Sequence, residues 1–279
     1  MTTQAFEERR ERPRGRMRRF GDVLYAALRL IARFARSFWA SLITFLSIGF
    51  VFGIAGVVAF AQLAEEVMEG ATQSLDEFGL RWINSHQSEA LDHVMMELTS
   101  LGNFAVLLVM LLVVSAFLWL SNHKLSVVLL GLGVGGGYLA NNVLKLAFDR
   151  DRPSVFEPVT DVVTSSFPSG HAMVSTIAYL SVAYLVGRLE PKPAMRRVTW
   201  TLAVVIIILV AISRMYLGVH YPSDVIGGII AGVAWLGFVV AGMHAVQYFS
   251  KRTKGGKKVV REKEKDVDVE VEREAGVRE

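Results

Sequence analysis

Long apolar runs separated by short polar stretches set the pattern of this chain. Between Trp39 and Phe249, stretches with few or no charges recur at roughly 17 to 27 residues, the length an α-helix needs to cross a hydrocarbon core of about 30 Å. Six such spans can be read, at 39–63, 103–121, 125–148, 171–187, 198–212 and 224–249. The fifth crosses only if it continues toward Tyr216. The pattern predicts an all-α fold, a polytopic membrane bundle of about six transmembrane helices. Strand-like alternation occurs at 266–272, where neighbouring like charges favour a solvated tail instead.

Three regions follow: a basic segment at 1–38, a six-helix membrane domain at 39–249, and a charged, disordered tail at 250–279. In the first, Arg29, Arg33 and Arg36 recur at helical spacing beside Leu24, Leu28, Ile31 and Phe38. That suits either a cationic helix lying on anionic lipid or a cytoplasmic extension of the first span. Ala59-Phe60-Ala61 imitates a signal-cleavage site, but the apolar run and its basic leader are both too long, so a retained anchor is expected.

Composition sharpens this picture. Of 279 residues, 52% are apolar and 20% charged, which excludes a soluble globular enzyme and a disordered chain as overall readings. The absence of cysteine excludes disulfides, thiolate metal sites and cysteine nucleophiles. The net charge of +4 sits mostly in the tails and bears on membrane orientation, not on a nucleic-acid partner. Arg9 to Arg19, His123 with Lys124, Arg188 to Arg197, and Lys251 to Lys258 all fall on one side of the six spans. That side should be the cytoplasm, with both termini on it. The other side receives 64–102, where Glu65, Glu66, Glu69, Asp76 and Glu77 face only Arg81, and the loops at 150–170 and 213–223. The glycines at 131, 133, 135, 136, 137, 228 and 232 read as close helix contacts, and Asn141 and Asn142 as helix-to-helix hydrogen bonds.

Three polar clusters stand at the outer ends of spans. Lys145 is followed, after six residues, by Arg152-Pro153, with Asp149, Arg150 and Asp151 marking emergence into water. Ser166-Phe167-Pro168-Ser169-Gly170-His171 immediately precedes the fourth span. Ser169 can cap that helix, Gly170 permits close approach to the backbone, and free N–H groups at a helix start attract anions. Ser213-Arg214 is followed, after five residues, by His220 and, three further on, Asp224, a carboxylate within reach of the ring. Taken singly, these are a snorkelling lysine, an ordinary N-cap and a loop salt bridge. Together they would crowd Lys145, Arg152 and Arg214 into one pocket, an arrangement that is costly unless an anion such as phosphate occupies it.

These clusters resemble the three-part signature of the type 2 phosphatidic acid phosphatase (PAP2) superfamily, which also includes vanadium haloperoxidases. The likeness covers roughly 125–249 and shows no departure within the signature. It implies that His220 is a nucleophile accepting a phosphoryl group, oriented by Asp224, and that His171 protonates the leaving oxygen and later activates water. It also implies that Lys145, Arg152, Ser169, Gly170 and Arg214 bind phosphate oxygens, and that no metal or other cofactor is needed. The carboxylates at 149, 151 and 224 are too few and too differently employed for a two-metal site. The implied substrate is a phosphate monoester or pyrophosphate on a membrane lipid: phosphatidic acid, phosphatidylglycerol phosphate or a polyprenyl pyrophosphate. The implied location is a bacterial plasma membrane. Phe78, Leu80, Trp82 and Ile83 either border the pocket mouth or serve as packing and interfacial anchors. Two rival readings are a vanadate-loaded oxidase and a non-enzymatic transporter or scaffold. A transporter, however, commonly places ionisable groups near the membrane midplane, and the interiors of the spans here lack Asp, Glu, Lys and Arg apart from Lys145, near the outer end of the third.

Overall fold

The computed structural model describes residues 48–160 and 162–247, all within one compact unit. The basic segment 1–38, the start of the first span and the tail 250–279 lie outside the described residues. Helices α1 (Ile48–Met68), α2 (Gln73–Asn84), α3 (Glu89–Ser100), α4 (Phe104–Leu120), α5 (Lys124–Phe148), α6 (Gly170–Leu189), α7 (Pro193–Tyr216) and α8 (Pro222–Gln247) carry the fold, with no strand among the described residues.

Five of these, α1, α5, α6, α7 and α8, are long and apolar enough to cross a membrane. Helices α3 and α4, bent by 44° where they meet, satisfy the same length and apolarity only as a pair, which makes six with the other five. At 17 residues and about 1.5 Å of rise each, α4 alone reaches only about 25 Å. The doubtful fifth span is resolved by length: α7 starts at Pro193, whose missing N–H suits a first turn, and runs on to Tyr216. Ahead of α4, the acidic stretch 64–102 is not merely a connecting segment. It holds the last turn of α1 and all of α2 and α3, the latter capped by the Ser88 hydroxyl accepting from Leu91 N at 3.4 Å.

Helix α6 is the hub. Ile177, Ala178 and Ala183 are fully buried, and Met173, Val174 and Leu185 nearly so. Glycines let α8 lie against it: a Cβ at Gly228 would stand 2.6 Å from the Ser169 carbonyl oxygen, and one at Gly232 would stand 2.8 Å from that of Met173. The glycine run in α5 behaves differently from the expectation of uniform close contact. Gly131–Gly135 form a π-helical stretch, Gly131 and Gly135 have open space where a side chain would go, and only the later glycines press on Trp235 and Ile177. Trp235 also donates its Nε1–H to the Gly133 carbonyl at 2.8 Å. Facing outward, Val113 on α4 and Leu139, Val143 and Leu146 on α5 are exposed, as helices bathed in lipid require.

Candidate active site

Four helix ends meet around the site. Helix α5 stops at Phe148, where Asp149 adopts the left-handed conformation at φ 40°. The loop that follows carries Arg152 and returns to α6 at Ser169. Helix α7 ends at Tyr216, and Gly218 turns the chain at φ 74°, with no room for a side chain against Phe156. That turn delivers His220 immediately before α8. Beneath the site, the fully buried Phe167 stacks on Phe60 of α1 (5.5 Å) and meets Phe148 of α5 edge-on (5.2 Å), anchoring the segment that leads into α6.

A cavity of about 420 Å³ opens between these ends. Lys145, Arg152, Gly170, His171, Arg214 and His220 all line it, joined by residues of the α3–α4 bend, including Thr99 and Asn103. Six of the eight residues singled out in the sequence therefore share one wall-to-wall space. The other two stand behind it. Ser169 is fully buried, its hydroxyl accepting from Ala172 N at the start of α6 and its own N–H donating to the Asp224 carbonyl at 3.0 Å. Asp224 is fully buried behind His220, with its Oδ2 3.5 Å from His220 Nδ1. That is ion-pair distance and longer than a formed hydrogen bond. The same oxygen accepts from Tyr221 N (2.8 Å) and from the Ser166 hydroxyl, so its direction is set from two other sides.

The cations are held unequally. Arg152 donates to carbonyls of Thr164 (2.7 Å) and Val219 and to the Thr164 hydroxyl (3.1 Å), stitching its own loop to the His220 loop. Lys145 donates to the Ser165 carbonyl. Arg214, 5% exposed, donates through Nη1 to Thr99 Oγ1 at 2.9 Å, while its buried Nε has no partner among the described residues. Gly170 leaves no space for a side chain, since a Cβ would sit 2.9 Å from Asn141 Oδ1. Asn141 itself is buried and reaches the Pro168 carbonyl at 3.5 Å, a helix-to-loop contact. Asn142 is exposed and bonds within its own helix, not to a neighbour.

Burial pushes the pKa of His220 down to about 4; Asp224 pulls the other way, and the cations of Arg214 and Arg152 add to the depression. The ring is therefore neutral at pH 7, and its Nε2 is the nitrogen left free, because Nδ1 faces Asp224 and Ser166.

Two charged residues take places the sequence did not suggest. Arg150 does not emerge into water: its side chain is 10% exposed and bridges Asp224 Oδ1 (2.6 Å) and Asp76 Oδ2 (3.0 Å), with its guanidinium over the Tyr221 ring at 4.3 Å. Asp76 does not face Arg81, which pairs with Glu77 instead. It is 2% exposed and accepts from Ser223 N (2.9 Å) and the Ser223 hydroxyl (2.5 Å). The available signal was positional: Asp76 lies one turn from fully buried Leu80, on the inward face of α2. Among Phe78, Leu80, Trp82 and Ile83, only Leu80 packs fully inward, while Phe78 and Trp82 are exposed. Among the described residues, no group of three or more His, Asp or Glu comes together in a metal-holding cluster.

The PAP2 superfamily profile matches residues 125–248. Phosphatidylglycerophosphatase B of Bacillus subtilis is 35% identical over 184 residues, 66% of this chain and 90% of that protein. The crystal structure of a transmembrane PAP2-type phosphatidylglycerolphosphate phosphatase from Bacillus subtilis superposes with a TM-score of 0.64 at 33% identity, covering 68% of this chain and 94% of that one. Undecaprenyl-diphosphatase BcrC of Bacillus subtilis is 28% identical over 162 residues, 56% of this chain and 76% of that protein. The chain belongs to the PAP2 superfamily. It is an integral-membrane enzyme of the lipid phosphate phosphatase class.

Proposed function

We propose that this enzyme removes phosphate from a phosphate monoester or diphosphate carried on a membrane lipid, in two steps, through a phosphohistidine at His220. The observation that carries the proposal is the sharing of one cationic cavity by His171 and His220, with the buried carboxylate of Asp224 behind the second.

In the first step, His220 Nε2 attacks phosphorus and the bond from phosphorus to the lipid oxygen breaks, with His171 giving that oxygen its proton. In the second, His171 takes a proton from water, the water oxygen attacks phosphorus, the nitrogen–phosphorus bond breaks, and inorganic phosphate leaves. Splitting the hydrolysis in this way replaces one difficult displacement with two easier ones. Asp224 stabilises the positive charge that the His220 ring carries while phosphorylated. Lys145, Arg152, Arg214 and the Gly170 backbone stabilise charge on the phosphoryl oxygens, with the Nε of Arg214, unpartnered among the described residues, as a ready donor and Ser169 shaping the start of α6. These cations supply the electrostatic role a metal would otherwise play, so we infer metal-independent turnover.

Phosphatidylglycerol phosphate is supported by the more extensive likeness and a polyprenyl diphosphate by the second relative. Orientation is inferred from charge. The cavity lies at one set of helix ends, whereas His123, Lys124, Arg188 and Lys192 flank the other ends of α5, α6 and α7, so the site faces outward from a bacterial plasma membrane. Release of inorganic phosphate by purified protein across phosphatidylglycerol phosphate, phosphatidic acid and undecaprenyl diphosphate tests the reading. Turnover of none of the three overturns it.

A further inference from the structure

Behind His220 lies a buried charge relay that the two-step chemistry does not itself require. Asp224 divides its oxygens: Oδ2 faces the ring, while Oδ1 is held by Arg150 Nη1 at 2.6 Å. A single arginine against a single carboxylate would largely cancel the negative charge that a phosphorylated imidazole needs nearby. Here Arg150 is shared, because its Nη2 lies 3.0 Å from Asp76 Oδ2, and the Ser223 hydroxyl bridges the two, accepting from Arg150 at 2.8 Å and donating to Asp76. Two carboxylates and one guanidinium leave one net negative charge, largely buried and directed at His220. Asp76 comes from α2, outside the segment matched by the family profile.

We propose that Asp76 and Arg150 are positioning residues for this reaction: Arg150 fixes the roll of the Asp224 carboxylate, and Asp76 offsets the arginine so that Asp224 keeps its pull on His220. The inference rests on His220 being the nucleophile. The other charged or titratable groups facing the ring are Arg214 from α7, Arg152 from the loop, and His171 and Lys145 across the cavity. All of these stay constant in the test below.

The test is the acid limb of kcat/KM, read with short-chain phosphatidic acid in detergent for wild type, D76N, R150Q and the double variant D76N/R150Q. Net charge behind His220 becomes neutral in D76N, doubly negative in R150Q, and returns to the wild-type value in the double variant. The limb is expected to move to lower pH by about one unit in D76N, to higher pH in R150Q, and back toward wild type when the two are combined. A purely structural role lowers thermal stability and rate in every variant without opposite shifts. If one single variant fails to fold, the other is compared with the double variant, and limbs that coincide overturn the proposal. H220A run alongside separates the two levels: an active H220A removes the nucleophile reading itself, whereas an inactive H220A with unshifted limbs removes only the relay.

Discussion

The guanidinium of Arg214 donates through Nη1 to the hydroxyl of Thr99 at 2.9 Å, joining the end of α7 to the α3–α4 bend. Arg214 lines the cavity from a side chain that is almost fully buried, and among the described residues this is the side-chain anchor that sets its direction. Loss of a hydrogen bond to a charged group costs about 1.5–3 kcal/mol. Thr99→Val should therefore lower kcat/KM by about tenfold or more, chiefly through a raised KM, as measured by phosphate release at varied lipid concentration. Arg214→Lys should be more damaging, because a point charge cannot replace the planar fork.

Helix packing gives a second expectation. A methyl group at Gly228 would stand 2.6 Å from the Ser169 carbonyl and 3.0 Å from Ala172 Cβ. Gly228→Ala must separate α8 from α6 at the level of His171, costing about 1–3 kcal/mol. Thermal unfolding in detergent should shift down by several degrees, with activity falling alongside it. An Ala substitution at Gly131, where nothing lies within 4 Å, should leave both unchanged.

The pH dependence follows from His220. Its pKa is pushed down to about 4 by burial, against about 6.5 in an unfolded chain. In the free enzyme the ring stays neutral as pH falls through 6.5, so the acid limb of kcat/KM should lie well below that value. For stability the sign is the reverse of a gain on acidification. Between these two values the unfolded chain binds the proton and the folded chain does not, so stability is present above about 6.5 and is lost as pH falls toward 4. His220→Gln should flatten that loss in unfolding measurements from pH 7 to pH 4.5.

Metal dependence is a fourth test. With Lys145, Arg152 and Arg214 lining the cavity as its cations, excess chelator should leave turnover unchanged. Activity that disappears with chelator and returns with Mg²⁺ contradicts the cationic account.

Much of this architecture is legible in the chain because lipid leaves a strong imprint: α1, α5, α6 and α8 coincide closely with apolar runs over their described residues. Helix α7 extends beyond its run because Pro193 to Arg197 and Ser213 to Tyr216 are polar turns of the same helix. Helices α2 and α3 are invisible to a search for spans, being 12 residues each and amphipathic. The cavity cations and histidines are legible because each falls in a short cluster at the end of a span. Asp76 is not, because its partners Arg150 and Ser223 are distant in the chain and the only local sign of its burial is its place one turn before Leu80. Arg150 misleads for the opposite reason: flanked by two aspartates it reads as a solvated loop, yet it turns inward to two carboxylates.

The most direct measurement of the central claim is covalent capture. Purified enzyme is mixed with phosphorus-labelled diphosphate substrate, quenched within milliseconds and examined for protein-bound label that is stable in base and lost in acid. Wild type should carry the label transiently, His220→Ala should carry none, and His171→Asn should accumulate it, since water activation is lost while a good leaving group still departs. Label retained in the His220 variant, or normal turnover without His220, contradicts the account.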